Sequence, residues 1–213
     1  MKKLIIVVLM LLSSSLFALT EKWAGLGFEW GNFFEKDGEY ISSPGVDLSV
    51  YSFDDRKNIG TFVRASFLFP PNTDNFGLSQ GMMMGVAFRL PVNKWLNIHA
   101  GLAPQFMLMS ESSTDDGDNP LSYSSLSFDL GVGADAGIKF DITDIIFINA
   151  GIGLSYSFSN YTSKTSVRRD GSERKTIEGW AADYARFSVR PYFTFGLNYY
   201  WAVTGYGKPP VVK

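Results

Sequence analysis

From Ser125 to Phe140 the chain alternates strictly between two kinds of residue. One row is Leu126, Phe128, Leu130, Val132, Ala134, Ala136, Ile138 and Phe140; the other is small or polar, with Ser127, Asp129, Gly131, Gly133, Asp135, Gly137 and Lys139. A helix repeats every ~3.6 residues and cannot hold a period of two, whereas a strand does. Eight stretches share this alternation: Trp23–Phe34, Gly45–Phe53, Ile59–Phe69, Gly81–Pro91, Leu96–Met109, Ser124–Phe140, Ile145–Phe158 and Tyr184–Trp201. A tilted strand of about 9–11 residues crosses a bilayer, and only a closed barrel satisfies its backbone there. The pattern predicts an all-β, eight-stranded antiparallel up-and-down transmembrane β-barrel.

The connections support this. Those at Asp54–Asn58, Val92–Lys94 and Asp141–Asp144 are tight, and the others, Glu35–Tyr40, Pro70–Ser79, Ser110–Tyr123 and Ser159–Ala182, are longer and polar. Short periplasmic turns opposite long outer loops are the habit of bacterial outer-membrane barrels. Aromatic girdles are expected where strands leave the membrane, with Trp95, Tyr199 and Trp201 low and Trp30, Phe34, Tyr161, Trp180 and Tyr184 high. No charge falls in the apolar rows, where one would cost about 2–4 kcal/mol at mid-membrane.

Alternation leaves open which face is inside, and a soluble lipocalin-like binding barrel is the competing reading. The second face argues for the membrane, because Gly25, Gly27, Gly31, Gly131, Gly133, Gly137, Gly151 and Gly153 suit a crowded lumen better than a watery exterior. An eight-stranded barrel has room for little more than side chains, so a large group on one strand needs a glycine opposite.

The N-terminus carries Lys2 and Lys3, an apolar run from Leu4 to Leu12, and small residues up to Ala18, which predicts a cleaved secretory signal over 1–18. The barrel is then expected over 19–201, and 202–213 as a short periplasmic extension. Without the signal, 17 basic residues face 21 acidic ones, a net charge of −4 that gives nucleic acid no basic footprint. The chain has no cysteine, which excludes disulfides and thiol chemistry.

Along the last strand, Thr194, Gly196, Tyr199 and Trp201 follow the outer-membrane insertion pattern of polar, Gly and two spaced aromatics. With eight strands, the chain resembles the small barrels of the OmpA, OmpX and OmpW type. The resemblance implies integration into outer-membrane lipid through the barrel-assembly machinery, as a monomer. The residues after Trp201 depart from the usual ending on that aromatic.

By parity the charges that face inward are Glu29, Asp47, Arg64, Arg89, Asp129, Asp135, Lys139, Arg186 and Arg190, together with His99, the only histidine. Buried charges must pair. Asp47 and Arg64, on strands joined by a short turn, are the first pair expected. Counting from the turns places Glu29 and Asp135 at their level, Asp129 and Arg190 higher, and Arg89, His99 and Lys139 lower.

Catalytic chemistry is not indicated: His99 lacks a nearby serine open to substrate. Gly131–Ala136 runs through strand alternation, so it is no dinucleotide loop. Asp115–Asn119 lacks the spaced glutamate of a calcium loop. Neither metal nor cofactor is expected. Lys164, Arg168, Arg169, Arg174 and Lys175 could meet lipid phosphates or a host surface. The expected role is structural or surface-interacting, with a narrow OmpW-like channel for small solutes as the alternative.

Overall fold

The computed structural model describes residues 20–36, 38, 40–54, 58–69, 76–114, 121–168, 174–181 and 184–201. Its strands are β1 (Thr20–Glu35), β2 (Tyr40–Asp54), β3 (Ile59–Leu68), β4 (Phe76–Pro91), β5 (Leu96–Thr114), β6 (Leu121–Asp141), β7 (Ile146–Arg168), β8 (Arg174–Trp180) and β9 (Arg186–Trp201). Neighbours pair antiparallel from β1 through β7. Then β7 pairs with β9 and β9 with β1, closing a ring of eight strands. The signal segment 1–18 and the extension 202–213 lie outside the described residues.

Parity assigns the two faces correctly. Phe28, Leu102, Val132 and Phe195 stand outside at 75%, 65%, 55% and 54% exposure, while Phe62, Met83 and Arg64 on the other parity are 1% exposed. Burial of one row and exposure of the other along the strands of the ring is what lipid on one side and a filled lumen on the other require.

One expected loop is instead a strand pair. The stretch Ser159–Ala182 carries β7 onward to Arg168 and adds β8, which pairs with β7 from Tyr161↔Trp180 to Val167↔Arg174. Its residues Thr162, Thr165, Thr176 and Ile177 have strand-forming shapes but make no apolar row, because both faces of this extension meet water. Likewise β4 starts at Phe76, β5 continues to Thr114 and β6 starts at Leu121, so the sheet rises above the band read from hydropathy.

The ring and the extension join at a bulge. Leu130 pairs with Ser159 and Gly131 with Ser157, leaving Phe158 as an extra outward residue. A bulge resets the parity beyond it, which turns Asn160 inward.

The lumen is filled in layers. Near the short-turn end, Trp23, Tyr51, Phe53, Phe62, Met83, Ala87, Ala103 and Phe147 pack together, and nearer the long-loop end Phe33, Leu68 and Met107 form a second apolar belt. Glycines make the room: a Cβ on Gly101 would stand 2.6 Å from the Phe62 ring, and one on Gly137 2.9 Å from the Tyr192 hydroxyl.

Candidate functional site

Between the two apolar belts lies a charged layer built from six strands. Arg64 on β3 is its centre and is 1% exposed. Its Nη1 donates to Asp135 Oδ1 at 2.8 Å, its Nε lies 3.5 Å from Asp47 Oδ2, and its Nη2 lies 3.7 Å from Glu29 Oε2. The guanidinium carbon sits 3.6 Å above the Tyr192 ring centroid, so the cation is held by charge on its edge and π-density on its face. Asp47 and Arg64 therefore meet, but as diagonal neighbours: the register sets Asp47 opposite Ser66 and Arg64 opposite Ser49. The shortest ion pair of Arg64 runs across the lumen to β6.

Asp135 gathers further donors. The Tyr51 hydroxyl donates to Oδ2 at 2.5 Å, the Tyr192 hydroxyl reaches the same oxygen at 3.4 Å, and His99 Nδ1 lies 3.4 Å from it. His99 Nε2 faces Asn149 Oδ1 at 3.0 Å. Arg190 Nε stands 3.5 Å from Glu29 Oε1, and its Nη1 and Nη2 donate to Ser66 Oγ and Gln105 Oε1, both at 3.3 Å. Two expected levels are thereby corrected. His99 belongs to the central layer rather than below it, and Arg190 reaches down to Glu29 rather than up to Asp129. The cause is barrel stagger: tilted strands carry residues at equal sequence distance from the turns to unequal heights.

The floor is cationic against aromatic faces. Lys139 ion-pairs with Asp141 and lies 4.5 Å from the Trp23 ring centroid, while Arg89 ion-pairs with Glu21 and lies 5.0 Å from that of Phe53. At the other end Arg186 pairs with Glu35 and, at 3.1 Å, with Asp129. Asp129 also accepts from Asn160 at 2.5 Å and from the Tyr184 hydroxyl at 2.7 Å. Tyr184 thus belongs to this lumen cap rather than to the outer girdle. Burial pushes its phenol well above the usual range, which keeps the proton it donates.

Sequence reasoning missed several partners: Tyr51 and Tyr192 at the centre, Glu21 and Asp141 at the floor, and Glu35, Asn160 and Tyr184 at the cap. Glu21 and Glu35 share the parity of Glu29 on β1, Tyr51 that of Asp47 on β2, Asp141 that of Lys139 on β6 and Tyr192 that of Arg190 on β9, so extending the rule to every polar-tipped residue finds them; the bulge hides Asn160. In β9, Thr194 is buried and reaches Asp47 at 3.4 Å, Gly196 yields space to the Phe147 ring, and Tyr199 is outside; the Trp201 side chain is not described.

Among the described residues the lumen's charges are enclosed at the centre and partly open at the two ends, at Glu21, Asp141 and Glu35. His99 is fully enclosed, and among the described residues no three ligating groups converge on a metal site. Asp115–Asn119 and Arg169 fall outside the described residues.

No family model matches the chain, and no curated protein matches it in sequence. Solved structures do match it. A major outer membrane protein from Thermus thermophilus superposes with a TM-score of 0.59 at 13% identity, over 83% of this chain and 99% of that one. Ail, the attachment invasion locus protein of Yersinia pestis, gives 0.52 at 13% identity, over 85% and 99%. Neisserial surface protein A gives 0.50 at 10% identity, over 81% and 95%. The fold is that of a small outer-membrane β-barrel.

Proposed function

We propose that this chain is an integral protein of the bacterial outer membrane whose plugged barrel anchors a rigid β-sheet at the cell surface for contact with other molecules. The single observation that carries this reading is the sheet above the ring. There β5, β6, β7 and β8 continue side by side, and β8, exposed along its whole length, pairs among the described residues with β7 alone. A strand edge of this kind is a template for another chain. Lys164, Arg174 and Lys175 on the same hairpin suit an anionic surface, and one similar structure is of an attachment invasion locus protein.

In this reading segment 1–18 is the cleaved export signal, and Thr194, Gly196, Tyr199 and Trp201 serve recognition by the barrel-assembly machinery. The stacked layers from Trp23 to Arg186 serve as a structural plug, which supports an anchor over a narrow solute channel. No catalytic role is assigned.

Two measurements test the reading. Trypsin added to intact cells should cut the β7–β8 hairpin at Arg174 or Lys175, and protection there would place the sheet elsewhere. Planar-bilayer recording of the folded chain should give a closed baseline, and steady ohmic conductance would replace the anchor with the channel.

A further inference from the structure

The outward face of the sheet changes chemistry at one line across four strands. The register aligns Leu108, Phe128, Tyr161 and Trp180 in a row, on β5, β6, β7 and β8 in turn. Phe106 and Phe128 stack at 6.3 Å, and Tyr161 meets Trp180 edge-on at 5.4 Å, so this is the apolar and aromatic border of the lipid-facing surface. Two residues further along each strand the row is Ser110, Leu126, Ser163 and Glu178, and two further it is Ser112, Ser124, Thr165 and Thr176. The same wall therefore passes from hydrocarbon-facing side chains to a row of hydroxyls over two residue pairs, with Leu126 and Glu178 in the row between.

These hydroxyls border a hollow. An open groove of about 290 Å³ is lined by Ser110, Ser112, Ser124, Leu126, Ser163 and Thr165, with Ser125 at its side. Strands ~4.8 Å apart spread such a row over roughly 14 Å, and successive rows on one face follow at ~6.7 Å. That lattice of hydroxyls matches the spacing of adjoining sugar rings. The face is near neutral, with Arg174 and Glu178 as the charges on β8, whereas Lys164 and Lys175 alternate to the reverse face.

We infer that this groove binds neutral sugars in the headgroup of a glycolipid from the surrounding outer leaflet. The occupant follows from position: the groove adjoins the lipid-facing band on the same strands, so the polar part of a neighbouring lipid is what reaches it. With Ser163 donating to Glu178 at 3.3 Å and Thr165 bonded to Thr176 at 3.3 Å, the hydroxyl wall ends on a carboxylate, which favours uncharged sugars over phosphates. Leu126 supplies one apolar contact for the carbon face of a ring.

This inference rests on the outer-membrane placement proposed above. The test uses the full mature chain folded in detergent micelles and native mass spectrometry with three probes: lipopolysaccharide carrying core sugars, lipid A lacking them, and free core oligosaccharide. Core-bearing lipopolysaccharide should be retained at least ~5-fold better than lipid A, and the free oligosaccharide should be held weakly. The double variant Ser124→Val with Thr165→Val, which keeps strand-forming shapes, should lose that preference, while Ser166→Val on the reverse face keeps it. Equal retention of lipopolysaccharide and lipid A by the folded native chain, or an unaltered preference in the double variant, would overturn the groove alone. A chain that fails to fold in micelles but stays folded in buffer would overturn the placement instead.

Discussion

Asp135 and Ser124 lie on the same strand, β6, yet belong to opposite regimes. Asp135 sits inside the closed ring, where Arg64, Tyr51, His99 and Tyr192 surround it. Ser124 sits above the aromatic border, beside an open groove on a sheet whose last strand has, among the described residues, one neighbour. Inside the ring charged groups face one another across the lumen, because desolvation of an unmatched charge costs several kcal/mol, and both Glu29 oxygens and Arg64 Nε are held by ion pairing without a hydrogen bond. Above it, water supplies the partners. The difference teaches where this fold keeps its stability: the ring and its plug are interdependent, and the protruding sheet is free to vary.

The comparison breaks most readily at Arg64. Arg64→Ala leaves Asp135, Asp47 and Glu29 without their shared cation and should destabilise the folded chain by about 3–5 kcal/mol, read by urea unfolding in lipid vesicles followed by tryptophan fluorescence. A change below ~1 kcal/mol would mean that the three carboxylates find other partners. On the opposite side of the wall, Val132→Lys puts a charge on the lipid face near the middle of β6 and should cost about 2–4 kcal/mol in the same assay. Gly137→Leu attacks the fit rather than the charge. Its Cβ would stand 2.7 Å from His99 Nε2 and 2.9 Å from the carbonyl of Ala150, so about 1–3 kcal/mol of overpacking is expected. Thr176→Ala on β8 should change stability by less than about 0.5 kcal/mol, since both faces there are solvated. A large loss at Thr176 would show that the extension and the ring fold as one unit.

The fold was legible because lipid enforces a period of two on one face and keeps charge off it. Leu126 through Phe140 and Phe187 through Tyr199 carry that record plainly. Where lipid ends the record ends too, which is why β8 reads as a polar loop: Thr176 and Lys175 alternate, but nothing on either side selects for hydrophobicity. The inward charges were legible from the same parity. Their partners were not, because Arg64 and Asp135 are 71 residues apart in sequence and meet only through the tilt and closure of the ring. The bulge at Phe158 hid Asn160 for a related reason, since one extra residue reverses every assignment beyond it.

The central claim is that the outward row of the ring faces hydrocarbon and that this contact stops at the aromatic border. The chain lacks cysteine, so a single thiol-linked fluorophore can be placed at Val132 or at Ser124 without removing any native residue of that type. In the folded, vesicle-reconstituted protein, a lipid-dissolved quencher should act at Val132 and a water-soluble one at Ser124. Quenching from water at Val132 as strong as at Ser124 would contradict the account.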